Sequence, residues 1–176
     1  MSAWPAFIGL GGNLDDPAGQ IERALSAIAG LPQTTLIRRS ALYLSRPMGP
    51  SDQPDYVNAV AQVDTGLSAP ELLTELLAIE RRQGRQRCAD QRNGPRTLDL
   101  DLLLYADFVC DDPALTLPHP GAHERDFVLV PLAEIAPQVV IPGRGRVVDL
   151  LAGCTSHGLC RLARPPPVPA QTALAG

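Results

Sequence analysis

The chain has 176 residues, 45% of them apolar, and a formal net charge of −4. These totals fit one domain with a sizeable core, and mild acidity disfavours general nucleic-acid binding, which needs a basic face. All fifteen basic residues are arginine, which excludes P-loop and Schiff-base chemistry because both require lysine. We find no membrane-length apolar run and no basic leader, so we expect a cytoplasmic protein.

The first half of the chain predicts a strand, a helix and two further strands. An apolar run at residues 6–10 ends in glycines and predicts the first strand. Apolar residues then recur at helical spacing to about Gly30, behind an aspartate cap and a proline in the first turn. Residues 34–44 favour a strand, residues 45–54 a loop, and residues 56–64 a strand whose side chains alternate between two faces.

The second half begins with another helix. Ser68 and Glu71 form a capping box at its start. Residues 83–97 are polar and rich in arginine, and a loop of that length in a compact domain is usually functional or disordered. A leucine-rich strand follows at residues 98–105. The order of strand, helix, strand, strand, helix and strand predicts an α+β fold with a ferredoxin-like split βαββαβ core, a mainly antiparallel sheet and helices packed on it.

C-terminal additions follow this core. We predict a short strand at residues 108–110, a helix at residues 127–135 and another short strand at residues 139–141. Residues 1–160 are expected to form a single domain. Residues 161–176 are rich in proline and alanine, so we predict a disordered tail.

Two aspartates stand out in the leucine-rich strand. Asp99 and Asp101 are two residues apart, so their side chains project to the same face, roughly 6.5–7 Å apart along the strand. A solvated strand face is the ordinary alternative. However, this pair alternates with leucines in what we expect to be a central strand, where the two carboxylates repel each other unless a cation lies between them. Together with the preceding loop, whose arginines suit phosphate oxygens, the pair predicts a magnesium–nucleotide site.

A second group of residues suits a flat heterocycle. Tyr56 and Phe127 offer rings for stacking, and Asn58 offers an amide for hydrogen bonds to the edge of a ligand. Core packing of Phe127 and a strand-edge position of Asn58 explain these residues equally well. On the residues alone, that alternative is favoured.

Several segments together carry a resemblance. They are G-P-R-T-L-D-L-D at 94–101, D-Q-P-D-Y-V-N at 52–58, the opening I-G-L-G-G-N-L, and an L-P-H segment followed by Arg125 and Phe127. In this order, over roughly residues 5–150, they resemble the 6-hydroxymethyl-7,8-dihydropterin pyrophosphokinase family of folate biosynthesis.

The resemblance implies transfer of diphosphate from ATP to the hydroxymethyl group of the dihydropterin, with AMP as the second product. It implies two Mg²⁺ ions held by Asp99 and Asp101, with ATP as co-substrate. Matched positions assign catalysis to Arg85, Arg96, Asp99 and Asp101. They assign ATP binding to Glu80, Arg87, Arg92, Thr116, His119 and Arg125. They assign pterin binding to Ser45, Met48, Tyr56, Asn58 and Phe127.

The chain also departs from the family pattern. Asn93 stands where some relatives carry tryptophan, Ala114 replaces an arginine, and Leu77 replaces a glutamine, which puts nucleotide affinity in doubt. We expect small-molecule substrates, no nucleic acid, no membrane and a monomer. The alternatives are another magnesium-dependent nucleotidyl transferase on the same fold, and an RNA-binding or ligand-sensing ferredoxin-like module. The chain lacks the aromatic and basic platform of the latter.

Overall fold

The computed structural model describes residues 3–48, 52–85, 94–156 and 158–163. Within them the chain order is β1 (Trp4–Gly12), α1 (Pro17–Ala29), β2 (Thr34–Arg39), β3 (Tyr43–Ser45), β4 (Tyr56–Thr65), α2 (Ala69–Arg82) and β5 (Asp99–Tyr105). It continues with β6 (Cys110–Asp112), β7 (Leu115–Leu117), α3 (Asp126–Ile135), β8 (Val140–Ile141), β9 (Gly145–Arg146), α4 (Val147–Ala152) and β10 (Cys160–Arg161).

The main sheet has the order β10-β3-β4-β1-β5, and β2 pairs with the other part of β4. Every pairing in it is antiparallel. If β2 and β3 count together as the second strand, β4 is the third strand and β5 the fourth. The strands then lie side by side in the order fourth, first, third, second, and a helix precedes the second strand and the fourth strand. This is the split βαββαβ arrangement, so the predicted fold class is confirmed.

The strand predicted at residues 34–44 is interrupted, so that part of the prediction was wrong. Arg39 lies opposite Ala61 and Tyr43 lies opposite Asn58, so the segment from β2 to β3 has one more residue than β4 over this stretch. Ser40 occupies the interruption: its backbone N–H donates to the Val60 carbonyl at 2.9 Å, and its hydroxyl accepts from the Val60 N–H at 3.0 Å. A side-chain hydroxyl therefore replaces a backbone partner at the bulge.

β5 lies at the edge of the sheet, whereas we expected it at the centre. Its only sheet partner among the described residues is β1. On the outer side, the Leu100 N–H donates to the Glu80 carboxylate at 2.7 Å, and the Leu103 carbonyl accepts from the His119 N–H at 2.9 Å. Because α2 and the segment around His119 supply these bonds, an edge strand can carry the buried leucine row that suggested a central one.

One face of the sheet is covered by α1 and α2. These helices bury Ile21, Ile28, Leu72 and Leu76 against it, each fully shielded from solvent. The predicted capping box of α2 is confirmed, since the Ser68 N–H donates to the Glu71 carboxylate at 2.8 Å. Within the described residues, no helix has both the length and the apolar content needed to cross a bilayer.

The opposite face is covered only in part. α3 agrees with the helix predicted at 127–135 and packs Val128, Leu129 and Leu132 against β4 and β5 at one end of the sheet. The short strands β6 and β8 fall within two residues of their predicted positions. The other end of this face, where β1, β4 and β5 run side by side, has no helix among the described residues over it.

Candidate active site

An open pocket of about 970 Å³, counting the space at its mouth, occupies the uncovered end of the sheet. Its lining brings together ten of the residues that the sequence singled out. They are Ser45, Met48, Tyr56, Asn58, Arg96, Asp99, Asp101, His119, Arg125 and Phe127.

The pocket exists because β1 carries glycines on this face. Gly9 and Gly11 alternate with the buried Ile8 and Leu10, whose side chains point to the helix-covered face. A Cβ on Gly11 would lie 3.1 Å from the Asn58 Oδ1 atom. Any larger side chain would fill the floor of the pocket. Neither glycine was predicted to be a site residue, although the I-G-L-G-G pattern places both on one strand face.

The end of the pocket near β3 offers rings and an amide. The buried Asn58 donates from Nδ2 to the Ser45 hydroxyl at 2.8 Å, which fixes the amide so that Oδ1 faces Gly11. The Tyr56 hydroxyl donates to the Gly94 carbonyl at 2.8 Å. Phe127 opens α3, where the Arg125 guanidinium lies 5.9 Å from the centre of its ring. This end of the pocket is suited to a flat ligand with a polar edge.

The other end is charged. Asp99 accepts hydrogen bonds from two guanidinium groups: Arg96 Nη1 lies 2.5 Å from Oδ2, and Arg85 Nη1 contacts Oδ1. Burial alone would raise the pKa of Asp99, but the charges of Arg85 and Arg96 outweigh burial and hold it below its usual value. Asp99 is therefore ionised at neutral pH and bracketed by the two predicted catalytic arginines.

Asp101 projects from the same strand face as Asp99, but its electrostatic surroundings are different. Burial, and then the carboxylates of Asp99 and Glu80, raise the pKa of Asp101 to about 7. The His119 Nε2 atom lies 4.0 Å from Asp101 Oδ1. Because His119 Nδ1 accepts from the Gly121 N–H at 3.1 Å, the neutral ring carries its proton on Nε2, towards Asp101. Burial and the nearby Arg125 lower the pKa of His119, which favours this neutral form.

The two aspartates fit a hard divalent cation. Among the described residues, no group of three or more acidic, histidine or cysteine side chains is placed to hold a metal ion. Mg²⁺ in phosphate-handling proteins is commonly held by one or two carboxylates, with phosphate and water oxygens completing the octahedron. Because burial and then carboxylate repulsion raise the pKa of Asp101, added positive charge beside Asp99 and Asp101 would stabilise the ionised pair.

Two predicted ATP-binding residues in the described part of the chain, Glu80 and Thr116, do not line the pocket. Glu80 is 1% exposed at the end of α2, where its carboxylate accepts from Arg85 Nη1 at 2.7 Å and from the Leu100 N–H. The Thr116 hydroxyl donates to the Asp112 carbonyl at 3.2 Å in the β6–β7 hairpin. The predicted roles of Arg87 and Arg92, and the departure at Asn93, lie outside the described residues.

The fold and the site together define a ferredoxin-like α+β domain with an aspartate- and arginine-lined pocket on its open sheet face. Residues 7–137 match the family model described as 7,8-dihydro-6-hydroxymethylpterin-pyrophosphokinase. The chain belongs to this family, as the resemblance of its motifs indicated.

Two bacterial relatives support the assignment over nearly the whole chain. The chain is 47% identical to the 2-amino-4-hydroxy-6-hydroxymethyldihydropteridine pyrophosphokinase of Haemophilus influenzae, over 89% of this chain and 97% of that protein. It is 48% identical to the protein of the same name from Pseudomonas aeruginosa, over 89% of this chain and 95% of that protein.

Solved structures support the fold. A Plasmodium falciparum HPPK-DHPS crystal structure matches with a TM-score of 0.68 at 13% identity, over 86% of this chain and 45% of that chain. An HPPK-DHPS structure in complex with substrates matches with a TM-score of 0.66 at 11% identity, over 86% of this chain and 43% of that one. The chain thus spans less than half the length of either of these two solved chains.

Proposed function

We propose that the chain transfers the diphosphoryl group of ATP to the hydroxymethyl oxygen of 6-hydroxymethyl-7,8-dihydropterin, a step of folate biosynthesis. One observation carries this proposal. The rings of Tyr56 and Phe127 and the Asn58 amide border the same cavity as Arg96 and the two aspartates. This arrangement supports the meeting of a flat alcohol and a polyphosphate there.

The pterin is proposed to bind at the β3 end. Tyr56 and Phe127 would stack on the bicycle, and the Asn58 amide, fixed by Ser45, would bond its polar edge. Ser45 and Met48 border the same space, so their backbone groups are candidates for further hydrogen bonds. Holding the alcohol in one orientation supplies much of the advantage of a bound over a free reactant.

ATP is proposed to lie along the aspartates. Arg85 and Arg96 would transfer their hydrogen bonds from Asp99 to phosphate oxygens, which guanidinium groups bind in a bidentate manner. Arg125 and His119 border the same end of the pocket. The hydroxymethyl oxygen forms a bond to the β-phosphorus and its proton passes to solvent. The bond from that phosphorus to the α–β bridging oxygen breaks, and AMP leaves with the electron pair of that bond. Phosphoryl-type transfer depends chiefly on positioning and charge stabilisation, so no obligatory general base is required.

Asp99 and Asp101 are the residues that would hold Mg²⁺, two ions in our proposal. When bound, the metal would neutralise triphosphate charge and acidify the attacking hydroxyl. The remaining nucleotide contacts are proposed for Thr116, Arg87 and Arg92, whereas the buried Glu80 would act through Arg85. A cytoplasmic monomer with a single domain ending near residue 160 remains our expectation.

The reaction products test the proposal. Purified protein is incubated with ATP, Mg²⁺ and reduced hydroxymethylpterin, and AMP and the pterin diphosphate are quantified together. We expect the two products in equal amounts, and neither when the pterin is omitted. Release of free pyrophosphate in place of AMP would contradict the proposal and favour a nucleotidyl transferase.

A further inference from the structure

Asn13 is a buried polar residue with no role in the mechanism described above. It follows β1 directly and is 3% exposed. Its backbone N–H donates to the Arg96 carbonyl, and its Oδ1 atom accepts from the Arg96 N–H, both at 2.9 Å. The backbone of Arg96 is therefore held on both sides by one residue, next to the bond from its guanidinium to Asp99.

The other end of the same amide holds a different segment. Asn13 Nδ2 donates to the Pro54 carbonyl at 2.9 Å and to Gln53 Oε1 at 3.2 Å. Pro54 lies two residues before Tyr56, whose hydroxyl bonds to Gln53 and to Gly94. The Asn13 Oδ1 atom therefore binds the backbone of Arg96, whereas the Nδ2 atom binds the segment that precedes Tyr56.

The close approach of the backbone makes this arrangement possible. A Cβ on Gly12 would lie 2.4 Å from the Thr97 carbonyl oxygen. Only glycine lets the end of β1 reach residues 96–97 closely enough for Asn13 to pair with both backbone groups of Arg96. Gly12 and Asn13 therefore form one structural unit, which we call the β1 clasp.

We propose that Asn13 is a positioning residue that holds Arg96 at Asp99 and, through the same amide, holds the segment that carries Tyr56. It thereby links the phosphate side of the pocket to the pterin side. This inference rests on the proposed function of the site. The sequence contains one asparagine at this turn, and its neighbour Leu14 offers no polar group that would replace the amide.

Two substitutions at Asn13 separate its bond to Arg96 from its bond to Pro54. Asn13→Asp keeps an oxygen for the Arg96 N–H but loses the donor to Pro54, whereas Asn13→Ala loses both. For Asn13→Ala we expect a fall in kcat of about 100-fold, the scale of a misplaced catalytic group, and a rise in pterin KM of about tenfold. For Asn13→Asp we expect the same rise in pterin KM, with kcat within about threefold of wild type.

Thr34→Val is the matched control. It removes the hydrogen bonds that join the Thr34 hydroxyl to the Thr65 hydroxyl at 2.8 Å and to the Pro32 carbonyl at 2.9 Å, at the far end of the sheet. It therefore reports how the loss of hydrogen bonds away from the pocket affects stability. Its kcat and both KM values should equal those of the wild type. If the Asn13 variants changed the kinetic constants only in proportion to their loss of thermal stability, or Asn13→Ala had wild-type constants, the inference would be overturned.

Hydrogen exchange at the Arg96 amide provides a readout that needs no turnover. We expect Asn13→Ala to accelerate this exchange at least about tenfold and Asn13→Asp to leave it near the wild-type rate. Equal acceleration in both variants, or in neither, would overturn the inference. If the wild type fails to convert the pterin, the proposed function falls, while the exchange measurement still decides whether Asn13 holds Arg96.

Discussion

The two faces of the central sheet come from the same strands and differ in character at the end where the pocket lies. On the face under α1 and α2, β1, β4 and β5 place Ile8, Val57 and Leu100, which belong to one apolar cluster. On the other face, residues one position away in the same strands border the pocket with glycine, amide and carboxylate groups. Because side chains alternate with a period of two, one strand can serve stability and chemistry at adjacent residues.

This comparison predicts that substitutions on the pocket face remove activity without unfolding the protein. For Asp101→Ala we expect kcat to fall by about 10³-fold or more, since the proposed cation site loses one of its two carboxylates. The free energy of unfolding should not decrease, because burial and the carboxylates of Asp99 and Glu80 disfavour the charge of Asp101 in the folded protein. Single-turnover kinetics and denaturant unfolding measure the two quantities. Near-normal turnover in this variant would refute the proposed metal site.

A second change, at an arginine that contacts Asp99 of this face, tests a proposed catalytic role. Arg85→Ala should reduce kcat by about 10²–10³-fold, because one group that stabilises charge on the transferring phosphates is lost. ATP affinity should change much less, since Arg96 remains beside Asp99. Stopped-flow binding and rapid-quench chemistry distinguish the two steps. An effect confined to ATP binding would contradict a catalytic role.

The opposite face predicts the reverse behaviour. Leu76→Ala removes a fully buried side chain of α2 and should lower the free energy of unfolding by about 3 kcal/mol. The fraction that remains folded should retain the wild-type kcat, since Leu76 lies across the sheet from the pocket. Denaturant titration with turnover measured on the same samples checks both parts. A large loss of kcat at full folding would show that the two faces are coupled.

The difference between local and tertiary signals explains what the sequence could predict. The alternation of β4, which separates Val57 from Asn58, and the capping box of Ser68 and Glu71 depend on neighbouring residues, so both were predictable. The paired aspartates were visible for the same reason. The motif resemblance then grouped residues that are distant in sequence, such as Tyr56 and Phe127. Local patterns alone could not distinguish a ligand-binding role of Phe127 from packing in the core.

Both errors in the strands, and the omission of Asn13, involve partners distant in the chain. The interruption at Ser40 depends on a bond to Val60, and the edge position of β5 depends on Glu80 satisfying the Leu100 N–H. Asn13 was missed because its partners lie about 40 and 83 residues away, at positions 54 and 96. A polar residue after a strand ordinarily indicates a turn, and only its burial in the folded protein reveals a positioning role.

The smallest predicted effect concerns pH and again separates the faces. Because the folded-state pKa of Asp101 is raised to about 7, the metal-free folded protein binds an extra proton between about pH 4 and pH 7. Its stability should therefore decrease as pH rises through this window. The Asp101 side chain is 41% exposed, so solvent screening should limit the shift of the thermal midpoint to about 2 °C or less.

Asp101→Asn should abolish this component of the pH dependence. Mg²⁺ should raise the wild-type thermal midpoint more at pH 8 than at pH 5, because at pH 5 the cation competes with the bound proton. Leu76→Ala, on the other face, serves as the control and should keep the full pH dependence from a lower starting stability. If stability did not decrease between pH 5 and pH 8 in the wild type relative to Asp101→Asn, the pKa of Asp101 would not be raised, and the repulsion that favours a cation between the aspartates would be absent.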